Sequence, residues 1–322
     1  MKNQPSRGCQ IGSTTKAGYM RSTARYLAVE AITQSRIPLL ACNLVVHARK
    51  KKDPVSLQKN STTTFTGSFP KGKKVCIYAH FDSRGGFSNA DTHMVRQIAN
   101  SGVDVIIAST SQLSSHLFGQ QKNGLSDIPI VSRENHGFDF GSWAETVLMF
   151  REEVESLDEL YLVNSSMYGP FASLNSIFTM NGNDVTALTN SNEFLPHAQS
   201  YFLGFSKSSI QHQSFWNFFR SVPLSENKWA TIISSELTWL HYFQSSGFSS
   251  NILFPVEKSQ RRNPLTFGWI DLLNRGFPFI KKSLFLQNYD RIAMRGWQKV
   301  INEISPDFDV ELIERDIWER SQ

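Results

Sequence analysis

The architecture of the chain is indicated by residues 75–86, which read Val-Cys-Ile-Tyr-Ala-His-Phe-Asp-Ser-Arg-Gly-Gly. The first five residues are an apolar run, which is typical of a parallel strand buried on both faces. The next seven are polar or glycine except for Phe81, and they predict a loop. A helix is expected to follow, because Ser88 is placed to cap its N-terminus and Asp91 comes three residues later.

The same strand, loop and helix pattern continues along the chain. A capping box of Ser142 with Glu145 predicts a helix from Ser142 to about Leu157. Alternating strands and helices predict an α/β fold with a largely parallel sheet flanked by helices. Further strands are expected at residues 103–108, 128–131, 159–163 and 184–188.

Parallel sheets of this kind bind ligands outside the carboxyl ends of their strands. That rule selects four loops, at residues 80–86, 109–111, 133–141 and 164–170. The chain has no G-x-G-x-x-G turn after the first strand, no Walker loop, no G-x-S-x-G elbow and no H-x-x-x-H metal spacing. A nicotinamide dehydrogenase, an NTPase and a serine hydrolase are therefore not expected.

The third of these loops contains several residues with two interpretations. Gly141 before a capped helix offers free N–H groups to an anion, or simply begins the helix. Asn135 and Asp139 flank Gly137, and all three residue types serve ligands as well as turns. Trp216, Phe218 and Phe219 are expected in the core.

Charge divides the 322 residues unevenly. Residues 1–74 carry 14 Lys and Arg against Glu30 and Asp53, whereas the other 248 residues carry 19 basic and 26 acidic side chains. Residues 1–74 are thus predicted to be a basic N-terminal arm, partly helical (within 21–47) or disordered.

A hydrophobic content of 40% excludes a protein that is disordered throughout or fibrous. Three cysteines (Cys9, Cys42 and Cys76) and the lack of a signal or spanning segment predict a cytoplasmic protein.

Five motifs follow one another along the chain: Asn135–Trp143, Leu162–Pro170, His197–Phe202, Ser235-Glu236-Leu237 with Gly247-Phe248, and Trp269–Leu273 with Gly276–Lys281. In this order they resemble the motifs of the rhamnan synthesis protein F family of glycosyltransferases. The resemblance covers roughly residues 75–285, and the first 74 and last 35 or so residues lie outside it. It implies a glycosyltransferase A-like catalytic domain over 75–285, followed by a C-terminal helical extension, 286–322.

The resemblance also implies roles for particular residues in binding a nucleotide-sugar donor such as a dTDP- or UDP-sugar. His80, Phe81 and Asp82 would line the base. Asn135, Gly137 and Asp139 would contact base or ribose. Asn164, Ser165 and Ser166 occupy the usual position of the Asp-x-Asp metal motif.

Ser165 departs from the family pattern, which has Asp at this position. Because a hydroxyl is not the anionic oxygen that Mg²⁺ or Mn²⁺ prefers, no cofactor is firmly predicted. A divalent cation held by Asp139 remains an alternative, and so does an inactive homologue. Without a metal, the leaving diphosphate needs another cation, for which the candidates are Arg133, Arg261, Arg262 and Lys281.

Glu236 is the first candidate for the general base of an inverting transfer, with Asp139 and Asp82 in reserve. It is expected near the start of a helix, where a structural role beside the helix dipole is equally consistent. His197, Gln199 and Tyr201 alternate after the fifth strand, which places them on one face. They are expected to contact sugar or to pack in the interior.

The predicted function is transfer of rhamnose or another hexose, including galactofuranose, to a cell-surface polysaccharide or lipid-linked glycan. The protein would then lie at the inner face of the cytoplasmic membrane, where anionic lipids attract the arm. Two alternatives are a non-catalytic subunit of glycosyltransferase type and a protein that binds nucleic acid or anionic surfaces. No nucleic-acid partner is expected, because no recognition motif is present and the acidic remainder would repel phosphates.

Overall fold

The computed structural model describes residues 63–111, 125–193, 195–224, 226 and 231–322. The predicted arm up to residue 62, its helix within 21–47, and Cys9 and Cys42 lie outside the described residues. Within the described part, the strands are β1 (Thr64–Thr66), β2 (Lys74–His80), β3 (Asp104–Ser109), β4 (Ile130–Ser132), β5 (Glu159–Asn164), β6 (Met167–Tyr168), β7 (Val185–Ser191), β8 (His197–Ala198), β9 (Phe202–Ser206), β10 (Ser250–Phe254) and β11 (Ile280–Lys281).

The central sheet has the strand order β1-β4-β3-β2-β5-β9-β7-β10, with β8 joined to β7. Neighbouring strands from β4 to β5 are parallel, and so are β7 and β10. β9 runs antiparallel between β5 and β7, and β1 is antiparallel to β4. The predicted α/β fold with a mostly parallel sheet is confirmed, and each of the five predicted strands is present.

Helices cover both faces of this sheet. Residues Ile232–Glu236 form a π-helical turn. The α-helices are α1 (Asn89–Asn100), α2 (Phe138–Met149), α3 (Arg151–Glu155), α4 (Lys207–Ile210), α5 (Gln213–Arg220), α6 (Trp239–Gln244), α7 (Pro264–Phe267), α8 (Trp269–Asn274), α9 (Ser283–Leu286), α10 (Trp297–Ile304) and α11 (Glu311–Arg320).

The start of α1 is as predicted: Ser88 is its N-cap and accepts a hydrogen bond from the backbone N–H of Asp91 at 3.0 Å. The predicted start of α2 is wrong. Gly137, with φ of 76°, lets the helix begin at Phe138, and Ser142 lies one turn inside, donating to the Phe138 carbonyl. The anion interpretation of Gly141 is also wrong, because its N–H donates to the Gly137 carbonyl within α2. The helical segment is broken at Phe150 and resumes as α3.

Two apolar clusters fill the core. One contains Trp143, Trp216, Phe218 and Phe219 with much of the central sheet, which confirms the three aromatics predicted there. The other contains Tyr78, Tyr161 and the apolar face of α1. Near the end of the predicted arm, β1 pairs with β4, and Phe65 and Phe69 pack against the first cluster.

The C-terminal residues pack on the same domain. A third apolar cluster joins Trp297, Ile301 and Ile313 to Tyr168 and Ala90. α11 also contacts α1, which brings the end of the chain beside the loop that follows β2. No helix in the described residues is both long and apolar enough to cross a membrane.

Candidate active site

The four loops selected by the sheet rule meet at the carboxyl edge of the sheet. The backbone N–H of Phe81 donates to Ser165 Oγ at 3.3 Å, and that of Asp82 donates to Ser111 Oγ at 2.7 Å. Asn164 Nδ2 donates to Asp139 Oδ2 at 2.7 Å. The predicted donor-site residues of three loops are therefore brought together, with the short 109–111 loop beneath them.

His80 ends β2 and is 2% exposed. Its ring stacks on Phe87 with centroids 4.1 Å apart, and Nδ1 lies 3.1 Å from Ser109 Oγ. Nε2 is buried, has no hydrogen-bond partner among the described residues, and lies 3.8 Å from a carboxylate oxygen of Asp91. Burial lowers the pKa of His80 to about 4, even though Asp91 favours the charged form. His80 is therefore neutral at physiological pH.

Asp91 belongs to a buried cluster that also includes a lysine distant in sequence. Its carboxylate accepts hydrogen bonds from Lys282 Nζ at 2.7 Å, Tyr78 Oη at 3.0 Å and Ser88 Oγ at 2.7 Å. Burial alone would raise the pKa of Asp91, but Lys282 and His80 lower it below its usual value. Lys282 was not predicted; the signal available was the pair Lys281-Lys282 after an apolar run, residues 277–280.

Asp82 is 2% exposed and lies between two arginines. Arg84 Nη2 is 2.6 Å and Arg320 Nη2 is 2.9 Å from Asp82 Oδ2. Burial would raise the pKa of Asp82, but hydrogen bonds from Arg84 and the charge of Arg320 hold it below the usual value. Phe81, by contrast, is 50% exposed. A pocket of about 190 Å³ adjoins this loop, lined by residues 84–88, Asp82 and Glu319.

The Asn164–Ser166 loop is held by its own polar groups. Asn164 Oδ1 accepts a hydrogen bond from the Ser166 N–H at 3.1 Å while its amide nitrogen holds Asp139. Within the described residues, no three His, Cys, Asp or Glu side chains are grouped so that they could hold a metal. An amide, hydroxyls and the single carboxylate of Asp139 are a poor donor set for Mg²⁺ or Mn²⁺, which prefer several anionic oxygens.

Asn135 and Gly137 lie at the edge of the site. Asn135 is exposed, whereas Gly137 is buried and in the left-handed region. A Cβ at residue 137 would lie 2.9 Å from the Pro223 carbonyl oxygen, so no larger residue fits without movement of the backbone. The lack of a side chain at Gly137 therefore allows residues 222–224 to pack closely against the start of α2.

The candidate cations differ in their availability. Arg133 is buried, and its guanidinium donates to Glu145 Oε2 and to the His136 carbonyl, each at 2.6 Å. It therefore supports the 133–141 loop and cannot also neutralise a diphosphate. Arg262 lies over the Phe267 ring at 4.7 Å. Lys281 pairs with Met167 across β6 and β11, one residue beyond Ser166, which places it beside the Asn164–Ser166 loop.

Two of the three predicted sugar-contact residues, Gln199 and Tyr201, lie around Thr189. The Thr189 hydroxyl donates to Gln199 Oε1 at 2.8 Å and lies 3.0 Å from Tyr201 Oη. Gln199 and Tyr201 are 4% and 5% exposed. The predicted strand through Tyr201 ends at Ala198, because the chain turns at residues 200–201 before β9 begins. Gln199 and Tyr201 nevertheless converge on one side chain.

Glu236 is half-buried and ends the π-helical turn, three residues before α6 begins at Trp239. It was expected near the start of a helix; the π-helical turn, a form frequent at functional sites, was not predicted. His197 Nδ1 lies 2.7 Å from the Leu195 carbonyl oxygen. Burial lowers the pKa of His197, while that carbonyl and the Glu236 charge oppose the shift. His197 and Glu236 are thus close enough to interact.

The sheet and its converging loops define an α/β domain of the class that typically binds ligands at the carboxyl edge of the strands. Sequence comparison gives the particular family: the model for rhamnan synthesis protein F matches residues 105–322. The chain belongs to this family of polysaccharide-synthesis glycosyltransferases, so the family identified from the motifs is confirmed. The match continues to the last residue and includes α10 and α11.

Two curated proteins are also similar to this chain in sequence. The virulence protein VirA of Vibrio anguillarum is 30% identical over 271 residues, covering 73% of this chain and 88% of that protein. The uncharacterized protein y4gN of Sinorhizobium fredii is 23% identical over 204 residues, covering 61% of this chain and 52% of that protein.

Solved structures with partial similarity include two glycosyltransferases. The bifunctional enzyme WbbM is 12% identical with a TM-score of 0.38, covering 79% of this chain and 53% of that one. GlyE of Streptococcus pneumoniae is 12% identical with a TM-score of 0.36, covering 78% of this chain and 64% of that one. Because these overlaps are partial, the family assignment rests on the sequence matches.

Proposed function

We propose that this protein transfers a hexose from a nucleoside-diphosphate sugar to a growing cell-surface polysaccharide or lipid-linked glycan. The observation that carries the proposal is the contact between two family motifs, through Asn164 Nδ2 and Asp139 Oδ2, beside the loop that contains Phe81 and Asp82. These loops lie at the edge where α/β sheets bind nucleotides. Rhamnose and galactofuranose are the first sugars to test.

The chemistry requires a base, and Glu236 is our candidate. A half-buried carboxylate would accept the proton of the acceptor hydroxyl as that hydroxyl attacks the anomeric carbon. If the attack comes from the face opposite the departing diphosphate, the configuration at the anomeric carbon is inverted. Asp139 is a weaker candidate, because its carboxylate already accepts a hydrogen bond from Asn164 at 2.7 Å. Asp82 is weaker still, since two arginines lie on it.

The departing diphosphate requires neutralisation. We assign this role to Lys281, because it lies beside the Asn164–Ser166 loop and because Arg133 is committed to Glu145. A lysine in place of a metal is consistent with Ser165 at the position where the family has Asp. Transfer that persists in EDTA would support this assignment.

The test is a binding and turnover screen with UDP-, dTDP- and GDP-sugars, each with and without EDTA. We expect one donor to raise the melting temperature and to be hydrolysed slowly without acceptor. Glu236→Gln should abolish turnover but retain donor binding, whereas the matched surface variant Glu303→Gln should retain both. No stabilisation by any nucleotide would overturn the proposal.

A non-catalytic subunit is the second candidate, and it is favoured by one observation, Ser165 in the metal-motif position. It predicts nucleotide binding without turnover in the same screen. Wild-type turnover that is lost in Glu236→Gln would exclude it.

The basic N-terminal arm gives a further part of the proposal, namely contact with an anionic membrane. Its sequence carries 14 Lys and Arg in residues 1–74, and each basic residue near an anionic surface contributes about 1 kcal/mol. Full-length protein should float with phosphatidylglycerol vesicles at low salt, and a version lacking residues 1–62 should not. Equal flotation of the two would contradict membrane contact through the arm.

A further inference from the structure

The loop after β2 is connected to the C-terminal helix, α11, across more than 230 residues of sequence. Asp316, in the middle of α11, is 2% exposed and uses both carboxylate oxygens. Oδ1 accepts a hydrogen bond from Arg84 Nη2 at 3.0 Å, and Oδ2 accepts one from Tyr168 Oη at 2.7 Å. Asp316 therefore joins the 80–86 loop to the 164–170 loop.

Arg320, one turn further along α11, completes this connection. Its Nε donates to Asp316 Oδ2 at 2.9 Å, and its Nη2 donates to Asp82 Oδ2 at 2.9 Å. Glu319 Oε2 also accepts a hydrogen bond from Arg84 Nη1 at 3.0 Å. One helix thus holds both Asp82 and Arg84, and through Tyr168 it reaches the segment that follows Ser166.

These contacts are suited to fixing a loop that its own sequence would leave mobile. Residues 83–86 are Ser-Arg-Gly-Gly, and glycine gives the backbone a wide choice of conformations. Asp82 and Asp316 are buried carboxylates shared by the same two guanidinium groups, and such charge-assisted hydrogen bonds are strong and directional. Removing one member leaves the others buried with unbalanced charge.

We propose that Asp316 and Arg320 are positioning residues of the donor site, which hold the Asp82–Gly86 loop in the conformation that binds the nucleotide. This inference rests on the proposed function, in which that loop contacts the donor. A loop that must be ordered during binding lowers affinity, because the entropy of ordering is then lost at that step. α11 is accordingly part of the donor site, although it lies at the far end of the chain.

The test measures nucleotide affinity and steady-state constants for Asp316→Asn, with Arg320→Gln as a second variant in case the first is unstable. We expect the Kd for the nucleoside diphosphate that binds the wild type to rise about tenfold, because the loop must then be ordered when the nucleotide binds. The donor KM should rise in parallel while kcat changes by less than about threefold. Arg315→Gln, an exposed change on the same helix, should leave all three unchanged.

A double variant separates positioning from general destabilisation. If Asp316 acts through Asp82, Asp316→Asn should add less than about a twofold further loss of affinity in an Asp82→Asn background, since coupled residues are not additive. Hydrogen exchange of the 80–86 backbone should rise in Asp316→Asn, with no change in β7.

The outcomes distinguish the two proposals. Wild-type protein that binds none of UDP, dTDP and GDP would overturn the proposed function and the donor site together. Wild-type binding that is equally tight in Asp316→Asn and Arg320→Gln would overturn the positioning role alone. Additive losses in the double variant would also contradict it, because Asp316 would then act independently of Asp82.

Discussion

The two halves of the candidate site are held by different forces. Beside the proposed donor loops, three aspartates form ion pairs with basic side chains, and these charged groups are largely buried. Asp91 pairs with Lys282, while Asp82 and Asp316 each pair with Arg84 and Arg320. On the predicted acceptor side, the Thr189 hydroxyl makes neutral hydrogen bonds with Gln199 and Tyr201, and Tyr201 belongs to the second apolar cluster. One half depends on charge balance between distant segments, and the other on packing around neighbouring strands.

This difference matters for how each half responds to change. A buried charge that loses its partner is expensive, whereas a neutral hydroxyl that loses one hydrogen bond affects stability only modestly. The donor half should therefore be sensitive to single substitutions and to pH. The neutral hydrogen bonds around Thr189 should tolerate both better.

The largest effect is expected for Lys282→Met, which keeps the length of the side chain but leaves Asp91 buried without its cation. Removing one partner of a buried ion pair typically lowers the free energy of unfolding by about 3–5 kcal/mol. Chemical denaturation at neutral pH measures this loss. The control is Lys299→Met, an 82% exposed lysine side chain on α10, which should change stability by less than about 0.5 kcal/mol. Equal stability of the two variants would contradict the claim that the donor half depends on the balance of its buried charges.

The next effect tests the close backbone approach at Gly137. Gly137 and Gly182 both have φ of 76°, but their surroundings differ. A Cβ added at residue 137 would lie 2.9 Å from the Pro223 carbonyl oxygen, whereas one added at residue 182 would have no atom of the described residues within 4 Å. Gly182→Ala should cost about 1 kcal/mol for the left-handed conformation alone, and Gly137→Ala at least twice as much. Thermal melts of the pair give the difference. Matching losses would show that residues 222–224 adjust without strain.

A third effect depends on pH and is expected at His80, in the donor half. Because the pKa of His80 is about 4 in the folded protein, below its ordinary value of 6.5, the unfolded chain binds more protons as pH falls. The stability that neutral His80 contributes is full above pH 6.5 and is lost as pH falls through 4, with about 2 kcal/mol lost between pH 7 and 5. Denaturant midpoints at both pH values measure the slope. His80→Asn should flatten it, whereas His241→Asn at an exposed position should not; an unchanged slope in His80→Asn would assign the acid sensitivity to other groups.

The sequence predicted the parts of this molecule that local patterns control. The buried strand at residues 75–79, the Ser88 cap and the convergence of four loops all follow from neighbouring residues and from the rule for parallel sheets. The start of α2 was predicted incorrectly, because Ser142 and Glu145 have the spacing of a capping box. In the structure Glu145 instead accepts a hydrogen bond from Arg133, and the sequence pattern does not distinguish these two roles. Lys282, Asp316 and Arg320 were also missed. Their role comes from partners up to 238 residues away, which no local pattern contains.

The smallest effect is expected on the acceptor side, from Thr189→Val. The substitution keeps the shape of the side chain and removes the hydroxyl that lies between Gln199 and Tyr201, so it should cost about 1–2 kcal/mol at any pH from 5 to 8. Tyr201→Phe removes one of the same contacts and should cost about 1 kcal/mol. If the Thr189→Val loss instead varies with pH as strongly as that of the donor half, a titrating group such as His197 is coupled to this cluster. The acceptor side would then share the charge dependence of the donor side, and the contrast between the two halves would be wrong.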